Sequence, residues 1–348
     1  EAPISRYLPN LPPGLGRITA NQLLSHTAGL LDTAPMYGPH DDDALGKGIR
    51  AWTDAWLFTS PGRIFSYSNP GYWLAGYLVE TLSGKPYADA MEARVFQPLG
   101  MSRTTLRPTT AMTWPLAQGH DVSGNTAHVA RPAADNSGSW PAGSVFSNTH
   151  DLAQFVIAFL NDGRVDGKRG IDPKVIALLS TPHAHYPGSD ETYGYGLTIR
   201  EWRGVHIVEH GGSRSGYGSF IRMASAQRVA VIVQTNRSGA NLPGALEKAT
   251  ELLLPTAAKP ESKPRAESPI SAEDLRRVPG VYRNGDQRLE IGARDGKLYL
   301  KRGSSEDALT KHGEARFAAA RGGEYVITGG ANGAVEYVTA GSRSFARQ

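Results

Sequence analysis

The sequence predicts an α+β protein whose first domain combines helices with an antiparallel sheet and is followed by a small β-barrel-like module. Helical apolar patterns recur through the first two thirds of the chain, and short β-branched strands cluster between residues 205 and 234. A proline-rich stretch then precedes an alternating, glycine-rich tail. We therefore assign residues 1–254 to the first domain, 255–272 to a linker and 273–348 to the β-module.

Caps and apolar faces mark the helices of the first domain. Thr19 and Gln22 have the spacing of a capping box. Apolar residues recur with helical period from Leu74 to Leu82, and Gly84 then supplies a typical helix stop. Three further helices are predicted at 87–95, 149–160 (with Asn148 or Thr149 as the cap) and 245–254.

Three short strands are predicted at Val205–Val208, Tyr217–Met223 and Arg228–Gln234. Short turns separate them, which indicates an antiparallel meander. A sheet of only three strands would expose an edge and part of a core face, which favours aggregation. We therefore expect the chain to be poorly behaved alone.

The stretch Pro255–Ala272 interrupts these patterns. Its four prolines alternate with Lys, Glu, Ser and Ala, a composition that favours an extended linker. Between residues 279 and 345, apolar residues alternate between glycine-rich breaks, which predicts an up-and-down β-module. We expect this module to be a structural appendage rather than a direct part of catalysis.

Composition excludes several classes of function. With 40% hydrophobic and 20% charged residues, the chain has the composition of a soluble globular protein. Its net charge is only +4 and its basic residues are scattered, so no nucleic-acid partner is expected. Disulfides and thiol catalysis are excluded because there is no cysteine. No apolar run approaches the roughly twenty residues of a membrane span.

Two short motifs carry the candidate chemistry. Tyr67 and Asn69 lie in Phe65–Trp73, and His210 stands directly before Gly211-Gly212. A tyrosine can take part in acyl transfer as a base or proton relay when nearby cations lower its pKa. Taken alone, however, a Tyr-x-Asn before proline is more often a β-turn.

Other candidate sites are weaker. His206 and His210 would not converge on a metal, because their spacing is read on a strand rather than a helix. His183 lies in a Pro-Gly loop, and His26 is interpreted as a packing residue. Asp41–Asp43 is interpreted as a solvated loop. No metal site is predicted.

The two motifs resemble those of the serine β-lactamase and penicillin-binding-protein superfamily, in its class C β-lactamase, D-alanyl-D-alanine carboxypeptidase and esterase branch. Other segments match in the same order, so the resemblance covers roughly residues 4–255. It implies a β-lactamase/transpeptidase-like fold, and the tail resembles the lipocalin-like barrel often appended to this family. The further matching segments are Ile4–Asn10, Ile18–Leu30, Phe96–Met101, Pro141–Phe155 and Ser219–Asn236.

The resemblance implies a serine hydrolase that acts through an acyl-enzyme. Tyr67 would be the base or proton relay, and Asn69 would hold the substrate carbonyl. His210 would stand in the Lys position of the Lys-Thr-Gly motif, as in esterase and peptidase members, and act in a pH-dependent way near neutrality. Its presence favours an ester or D-amino-acid peptide over a β-lactam as the substrate.

The same comparison assigns the substrate-binding groups. Gly211 and Gly212 would let the substrate backbone approach the strand, and the Ser213 amide would be one oxyanion donor. No cofactor is implied. Four aromatic residues in loops that line the cleft of relatives are candidate substrate contacts: Tyr37, Trp140, Tyr186 and Tyr217.

The family's nucleophile is the Ser of a Ser-x-x-Lys motif. None of the ten Lys residues has a Ser three positions before it, and Gly-x-Ser-x-Gly is also absent. The resemblance implies that the motif lies upstream of Glu1, as a missing segment or a separate fragment. A truncated, inactive pseudoenzyme and a binding module for peptidoglycan-like peptides remain as alternatives. A periplasmic or secreted location is favoured by the resemblance.

Overall fold

The structure, a computed structural model, describes residues 2–240, 242–259, 265–330 and 333–348. These residues form a mixed α/β domain and a closed antiparallel barrel. Residues 260–264, inside the predicted linker, lie outside the described residues. The α-helices are α1 (Pro13–Gly16), α2 (Ala20–Leu24), α3 (Ala44–Arg50), α4 (Asn69–Ser83), α5 (Tyr87–Met91), α6 (Pro108–Ala111), α7 (Thr149–Leu160), α8 (Pro173–Ser180), α9 (Pro243–Leu253) and α10 (Ala272–Arg277).

Local capping explains where the main helices begin and end. The Thr19 hydroxyl accepts a hydrogen bond from the Gln22 amide at 3.2 Å, and Gln22 Oε1 accepts one from the Thr19 amide at 2.9 Å. α4 ends before Gly84, which is left-handed with φ 64°. Asn148 caps α7. These three predicted boundaries are confirmed, because caps depend on neighbouring residues alone.

Shorter helical turns complete the helical part of the α/β domain. The segment after α5 continues as a π-helix at Glu92–Phe96, so the predicted helix at 87–95 is present in two forms. Three 3₁₀ turns lie at Ile4–Arg6, Asp54–Trp56 and Ser137–Ala142.

The strands of the α/β domain fall into two small hairpins and one larger sheet. The hairpins are β1 (His120–Ser123) with β2 (Thr126–Val129), and β3 (Arg164–Val165) with β4 (Lys168–Arg169). The sheet contains β5 (Ala184–His185), β6 (Thr192–Tyr193), β7 (Thr198–Trp202), β8 (Val205–Arg214), β9 (Tyr217–Ala224) and β10 (Val229–Thr235).

The larger sheet is an antiparallel meander of six strands in the order β5-β6-β7-β8-β9-β10. The predicted number of three strands is therefore wrong. β5 and β6 contain two residues each, too few for an alternating pattern to show. β7 carries Arg200 and Glu201 at its centre, which hides its strand character.

Both faces of the sheet are covered, whereas one edge is free. Val208 and Met223 pack against Phe159 of α7 on the face toward the helices. Val205 packs with Leu254 on the opposite face. In the described residues, β10 pairs only with β9, so its outer edge has no partner strand. The predicted unpaired edge is present at β10, although most of its residues are half-buried.

The C-terminal module is a closed barrel of eight antiparallel strands, which confirms the predicted β-module. Pairing of the first strand with the last closes it. Tyr282 and Phe317 are among its fully buried core residues. Its strands are β11 (Gly280–Asn284), β12 (Gln287–Arg294), β13 (Lys297–Arg302), β14 (Ser305–Lys311), β15 (Arg316–Ala319), β16 (Glu324–Gly329), β17 (Val335–Ala340) and β18 (Arg343–Arg347).

The barrel is attached to the segment that leads into α4. The Ser344 hydroxyl donates to the Phe65 carbonyl at 2.8 Å, and the Ser344 amide donates to Ser66 Oγ at 3.1 Å. Thr59 and Tyr337 are hydrogen-bonded at 2.7 Å. The sequence did not indicate this contact, because it joins residues up to 279 positions apart.

Close packing of α4 on the turn Ser137–Ala142 depends on Gly76. A Cβ added at this position would lie 2.2 Å from Pro141 Cγ, far inside carbon–carbon contact distance. We predict that Gly76→Ala lowers the free energy of unfolding by about 1–3 kcal/mol, because one element must shift. Urea denaturation followed by circular dichroism measures this.

Gly48 of α3 is the matched control. It is exposed, and nothing lies within 4 Å of the position of its Cβ. Gly48→Ala is expected to raise the free energy of unfolding by about 0.5–1 kcal/mol through helix propensity. Equal losses for the two substitutions would show that contact with Pro141 is not the cause.

Candidate active site

The Tyr-x-Asn motif lies where an extended segment enters α4. Ser68 caps the helix by accepting a hydrogen bond from the Gly71 amide at 3.2 Å, and it donates its own hydroxyl to the Leu31 carbonyl at 2.6 Å. Tyr67 therefore precedes the helix and Asn69 is its first residue. The motif is a helix start on a packed scaffold and not an isolated turn.

Asp32 fixes the side chain of Asn69. Its Oδ1 accepts hydrogen bonds from the Asn69 amide at 2.8 Å and from Asn69 Nδ2 at 2.9 Å. Only 7% of the Asp32 side chain is exposed. This pairing orients the Asn69 carboxamide and leaves its second N–H available for a substrate carbonyl.

Arg343, at the start of the last barrel strand, reaches the same site. Its Nε donates to Asp32 Oδ2 at 2.6 Å, and its guanidinium carbon lies 5.3 Å from the centroid of the Tyr67 ring. The Ser342 carbonyl accepts the Tyr67 amide at 2.8 Å. The barrel thus supplies a cation beside the candidate base, a feature beyond the structural role expected of it.

The Tyr67 phenol is protonated at neutral pH in these surroundings. Burial raises its pKa, the Asp32 carboxylate raises it further, and Arg343 lowers it without compensating. Tyr67 can act as a base at neutral pH only when neighbouring cations lower its pKa. Among the described residues, Arg343 does not lower this pKa enough, so Tyr67 needs a second positive charge nearby to act as a base.

His210 lies close to Tyr67, with ring centroids 6.3 Å apart. Burial lowers the pKa of His210, and a hydrogen bond at the Gly211 backbone raises it only in part. His210 is therefore neutral at pH 7, which does not support a cation at this position. A role of His210 as a hydrogen-bond donor stays a prediction.

His26 does more than pack. Its ring centroid lies 4.1 Å from that of Tyr67, its Nδ1 accepts the Ser68 amide at 3.1 Å, and its Nε2 is hydrogen-bonded to the Tyr193 hydroxyl at 3.2 Å. Burial is the main cause that lowers the pKa of His26 to about 3, followed by the charges of His210 and Arg343. The neutral imidazole of His26 therefore packs against Tyr67 and holds the backbone of Ser68.

The strand that carries His210 has a free side. β7 pairs with β8 only as far as Glu209, whereas β9 pairs with β8 as far as Arg214. Residues 210–214 therefore have no partner strand on the β7 side in the described chain. An extended substrate can add there by backbone hydrogen bonds.

Both glycines of this strand are also required by β9. A Cβ at Gly211 would lie 2.9 Å from the Phe220 ring, and one at Gly212 would lie 2.6 Å from Ser219 Oγ. Ser213, the predicted oxyanion donor, is exposed in the same stretch. The three residues stay candidate substrate-binding groups.

The four predicted aromatic contacts lie in different surroundings. Tyr37 is 51% exposed, whereas Trp140 is 4% exposed and packs with Ala88 and Leu106 in the core. The structure thus does not bring Trp140 to the cleft surface. The Tyr186 ring packs on Phe65 in a tilted arrangement with centroids 4.5 Å apart, and its hydroxyl is hydrogen-bonded to the Thr198 hydroxyl at 2.8 Å. The Tyr217 hydroxyl donates to the Ala117 carbonyl at 2.8 Å.

A polar cleft of about 640 Å³ opens between the two domains beside the motif. Tyr186 and Ser342 line it, together with Arg316 and Glu324 of the barrel. Since the Ser342 carbonyl holds the Tyr67 amide, the cleft adjoins the candidate base. Any substrate group that enters here meets both domains.

In the described ranges, no group of three or more His, Cys, Asp or Glu side chains is placed to hold a metal ion. No helix among them is long and apolar enough to cross a membrane.

Comparison with known proteins decides the family. The family model described as Beta-lactamase matches residues 1–254. The chain belongs to the beta-lactamase family. Penicillin-binding protein 4 of Amycolatopsis lactamdurans is 28% identical over 229 residues, which cover 63% of this chain and 59% of that protein. The chain thus spans little more than half of this relative.

Similarity to solved structures extends over the barrel as well. The crystal structure of SurE matches 100% of this chain and 81% of that chain, with a TM-score of 0.78 and 25% identity. SurE has also been determined with D-Leu. The D-amino acid amidase from Ochrobactrum anthropi SV3, complexed with D-phenylalanine, is 28% identical over 68% of this chain and 70% of that chain, with a TM-score of 0.54.

The buried His26 makes stability depend on pH. Its pKa is about 3 in the fold and 6.5 ordinarily, so the unfolded chain binds the proton more readily between these values. The contribution of the neutral His26 ring to the free energy of unfolding is fully present above pH 6.5. It falls by about 1.4 kcal/mol per pH unit as the pH drops toward 3.

We predict that His26→Asn removes this one-proton slope between pH 4 and 6. Asn is chosen because His26 has φ 57°, a left-handed conformation that Asn tolerates. Urea denaturation at a series of pH values measures the slope. A variant as steep as the unsubstituted protein would show that His26 does not carry the effect.

Proposed function

We propose that this chain forms most of the active site of a serine hydrolase that transfers an acyl group from an ester or a D-amino-acid amide or peptide. The nucleophile is the Ser of a Ser-x-x-Lys segment that precedes residue 1, in the same polypeptide or as a separate fragment. The observation that carries the proposal is the proximity of His210 to the Tyr67-Ser68-Asn69 helix start, with the Tyr67 and His210 ring centroids 6.3 Å apart and the Asn69 carboxamide oriented by Asp32.

The protonation of Tyr67 supports a missing lysine. Burial and Asp32 keep the phenol protonated, and Arg343 is too weak an influence to reverse this. An ammonium group near the phenol would lower its pKa. The Lys of the Ser-x-x-Lys segment has the chemistry that this site lacks.

The proposed reaction proceeds in two transfers. With its pKa lowered by the lysine, Tyr67 acts as the phenolate and accepts the proton of the Ser hydroxyl as the Ser oxygen attacks the substrate carbonyl, and the oxyanion is held by the Ser213 amide and the amide of the nucleophile. Tyr67 then gives this proton to the leaving group as the carbonyl re-forms and the bond to the leaving group breaks. In the second transfer Tyr67 accepts a proton from the water that attacks the acyl-enzyme and gives it to the Ser oxygen as the acid product leaves.

Two features support D-amino-acid derivatives as substrates. The free side of β8 accepts an extended peptide-like backbone. SurE and the amidase, which share this fold, have been determined with D-Leu and D-phenylalanine. The cleft beside Tyr186 gives room for a substituent larger than one amino acid.

We predict that chain 1–348 alone forms no covalent adduct with a fluorophosphonate, whereas a version extended upstream through Ser-x-x-Lys forms one. Tyr67→Phe should slow labelling of the extended version by about 10²–10⁴-fold, because the proton acceptor is lost. Intact mass spectrometry measures both results.

Tyr7→Phe is the control, since Tyr7 is 41% exposed and lies outside the proposed site. It should label at the unsubstituted rate. An adduct on a Ser within residues 1–348 would place the nucleophile in this chain and contradict the proposal. Absence of labelling in the extended version would instead support an inactive protein.

A further inference from the structure

Arg214 ends β8 on the face of the sheet that carries His210. Side chains alternate along a strand, and the regular pairing with β9 maintains this alternation from His210 to Arg214. The two residues are about 13 Å apart along the strand. Arg214 therefore lies farther along the free side of β8 and directly after Ser213.

The Arg214 guanidinium has fewer acceptors than it has donors. Its Nε is buried and has no hydrogen-bond partner. Its Nη2 donates to the Met36 carbonyl at 3.4 Å, which is long for such a bond. In the part of the chain that the structure describes, no carboxylate lies within the 4.0 Å of an ion pair with it. A buried donor without an acceptor costs free energy, which a bound anion would recover.

Asp135, whose charge acts on Arg214, already has other hydrogen-bond partners. Asp135 Oδ2 lies 2.6 Å from His40 Nδ1, and Asp135 Oδ1 accepts the Trp140 indole N–H at 3.5 Å. Burial lowers the pKa of Arg214, and the charge of Asp135 offsets this only in part.

Arginines elsewhere in the sheet show what a paired guanidinium looks like in this fold. Arg200 and Arg222 share the buried carboxylate of Glu209, with Nε–O distances of 2.8 and 2.6 Å. Arg214 has no such partner in the described chain, although it lies on the same strand as His210, four residues further along.

We propose that Arg214 is a specificity residue that binds a carboxylate on the acyl part of the substrate. This inference rests on the proposed function, in which Tyr67 serves the leaving group and the Ser213 amide serves the carbonyl. Since His210 and Tyr67 lie on one side of Ser213 and Arg214 on the other, the group that reaches Arg214 belongs to the acyl side.

The position of Arg214 next to Ser213 on β8 limits the distance between the substrate carboxylate and the reacting carbonyl. An extended acyl group advances about 3.3 Å per residue, so the acid lies within one or two residues of the reacting carbonyl. The planar guanidinium presents two parallel N–H donors to a carboxylate, which a neutral isostere cannot match. The preferred substrates are acidic acyl donors.

The test compares three ligands by isothermal titration calorimetry on chain 1–348, which needs no nucleophile. N-succinyl-D-alaninamide carries a carboxylate on the acyl side, and N-succinamoyl-D-alaninamide is its neutral isostere. N-acetyl-D-alanine carries its carboxylate on the leaving-group side. Unsubstituted protein should bind the succinyl ligand at least tenfold more tightly than the succinamoyl ligand.

Arg214→Gln should weaken binding of the succinyl ligand by about 10- to 100-fold and change the other two ligands less than twofold. Arg214→Lys should retain part of the preference. Arg169→Gln, which removes the same charge from the exposed hairpin β3–β4, should change nothing. Thermal unfolding of each variant shows that the fold is kept.

Three results would overturn the inference. The unsubstituted protein could bind the succinyl and succinamoyl ligands with equal affinity. Arg214→Gln could weaken the binding of all three ligands equally, or it could weaken the binding of N-acetyl-D-alanine alone. The labelling of the extended version is independent of these results. A failed labelling with an intact carboxylate preference would refute the hydrolase and leave the binding site.

Discussion

The carboxylate of Asp32 joins the two domains and the candidate catalytic groups at one point. It accepts hydrogen bonds from the backbone amide and the Nδ2 of Asn69 and from the guanidinium of Arg343, and it is almost wholly buried. A buried charge of this kind is stable only while its partners stay in place. The position of the barrel and the orientation of Asn69 are therefore coupled through a single side chain.

The charges around Tyr67 bear directly on its proposed role as a base. His26 and His210 are neutral through burial, Asp32 is negative, and Arg343 is the cation nearest the phenol ring. Burial dominates, so the phenol keeps its proton. In the proposed function, the lysine supplies the main charge that lowers the pKa of Tyr67. Arg343 then lowers this pKa further but does not make Tyr67 a base alone.

The sequence predicted those features that depend on residues close together in the chain. The Thr19 capping box, the Gly84 helix stop and the strands around His210 follow from neighbouring residues, and the structure has them. Asp32 and Arg343 were not predicted, because no short pattern links residues 311 positions apart. The lowered pKa of His210 and the raised pKa of Tyr67 were not predicted for a related reason: burial, their main cause, is a property of the packed fold.

The coupling through Asp32 is tested most directly by a double-mutant cycle on the acylation rate of the version extended upstream. Asp32→Asn and Arg343→Gln are expected each to slow labelling by a fluorophosphonate about tenfold or more. The double variant should then be no more than about twofold slower than the slower single variant, because both changes break one unit. Losses that multiply in the double variant would show that Asp32 and Arg343 act independently.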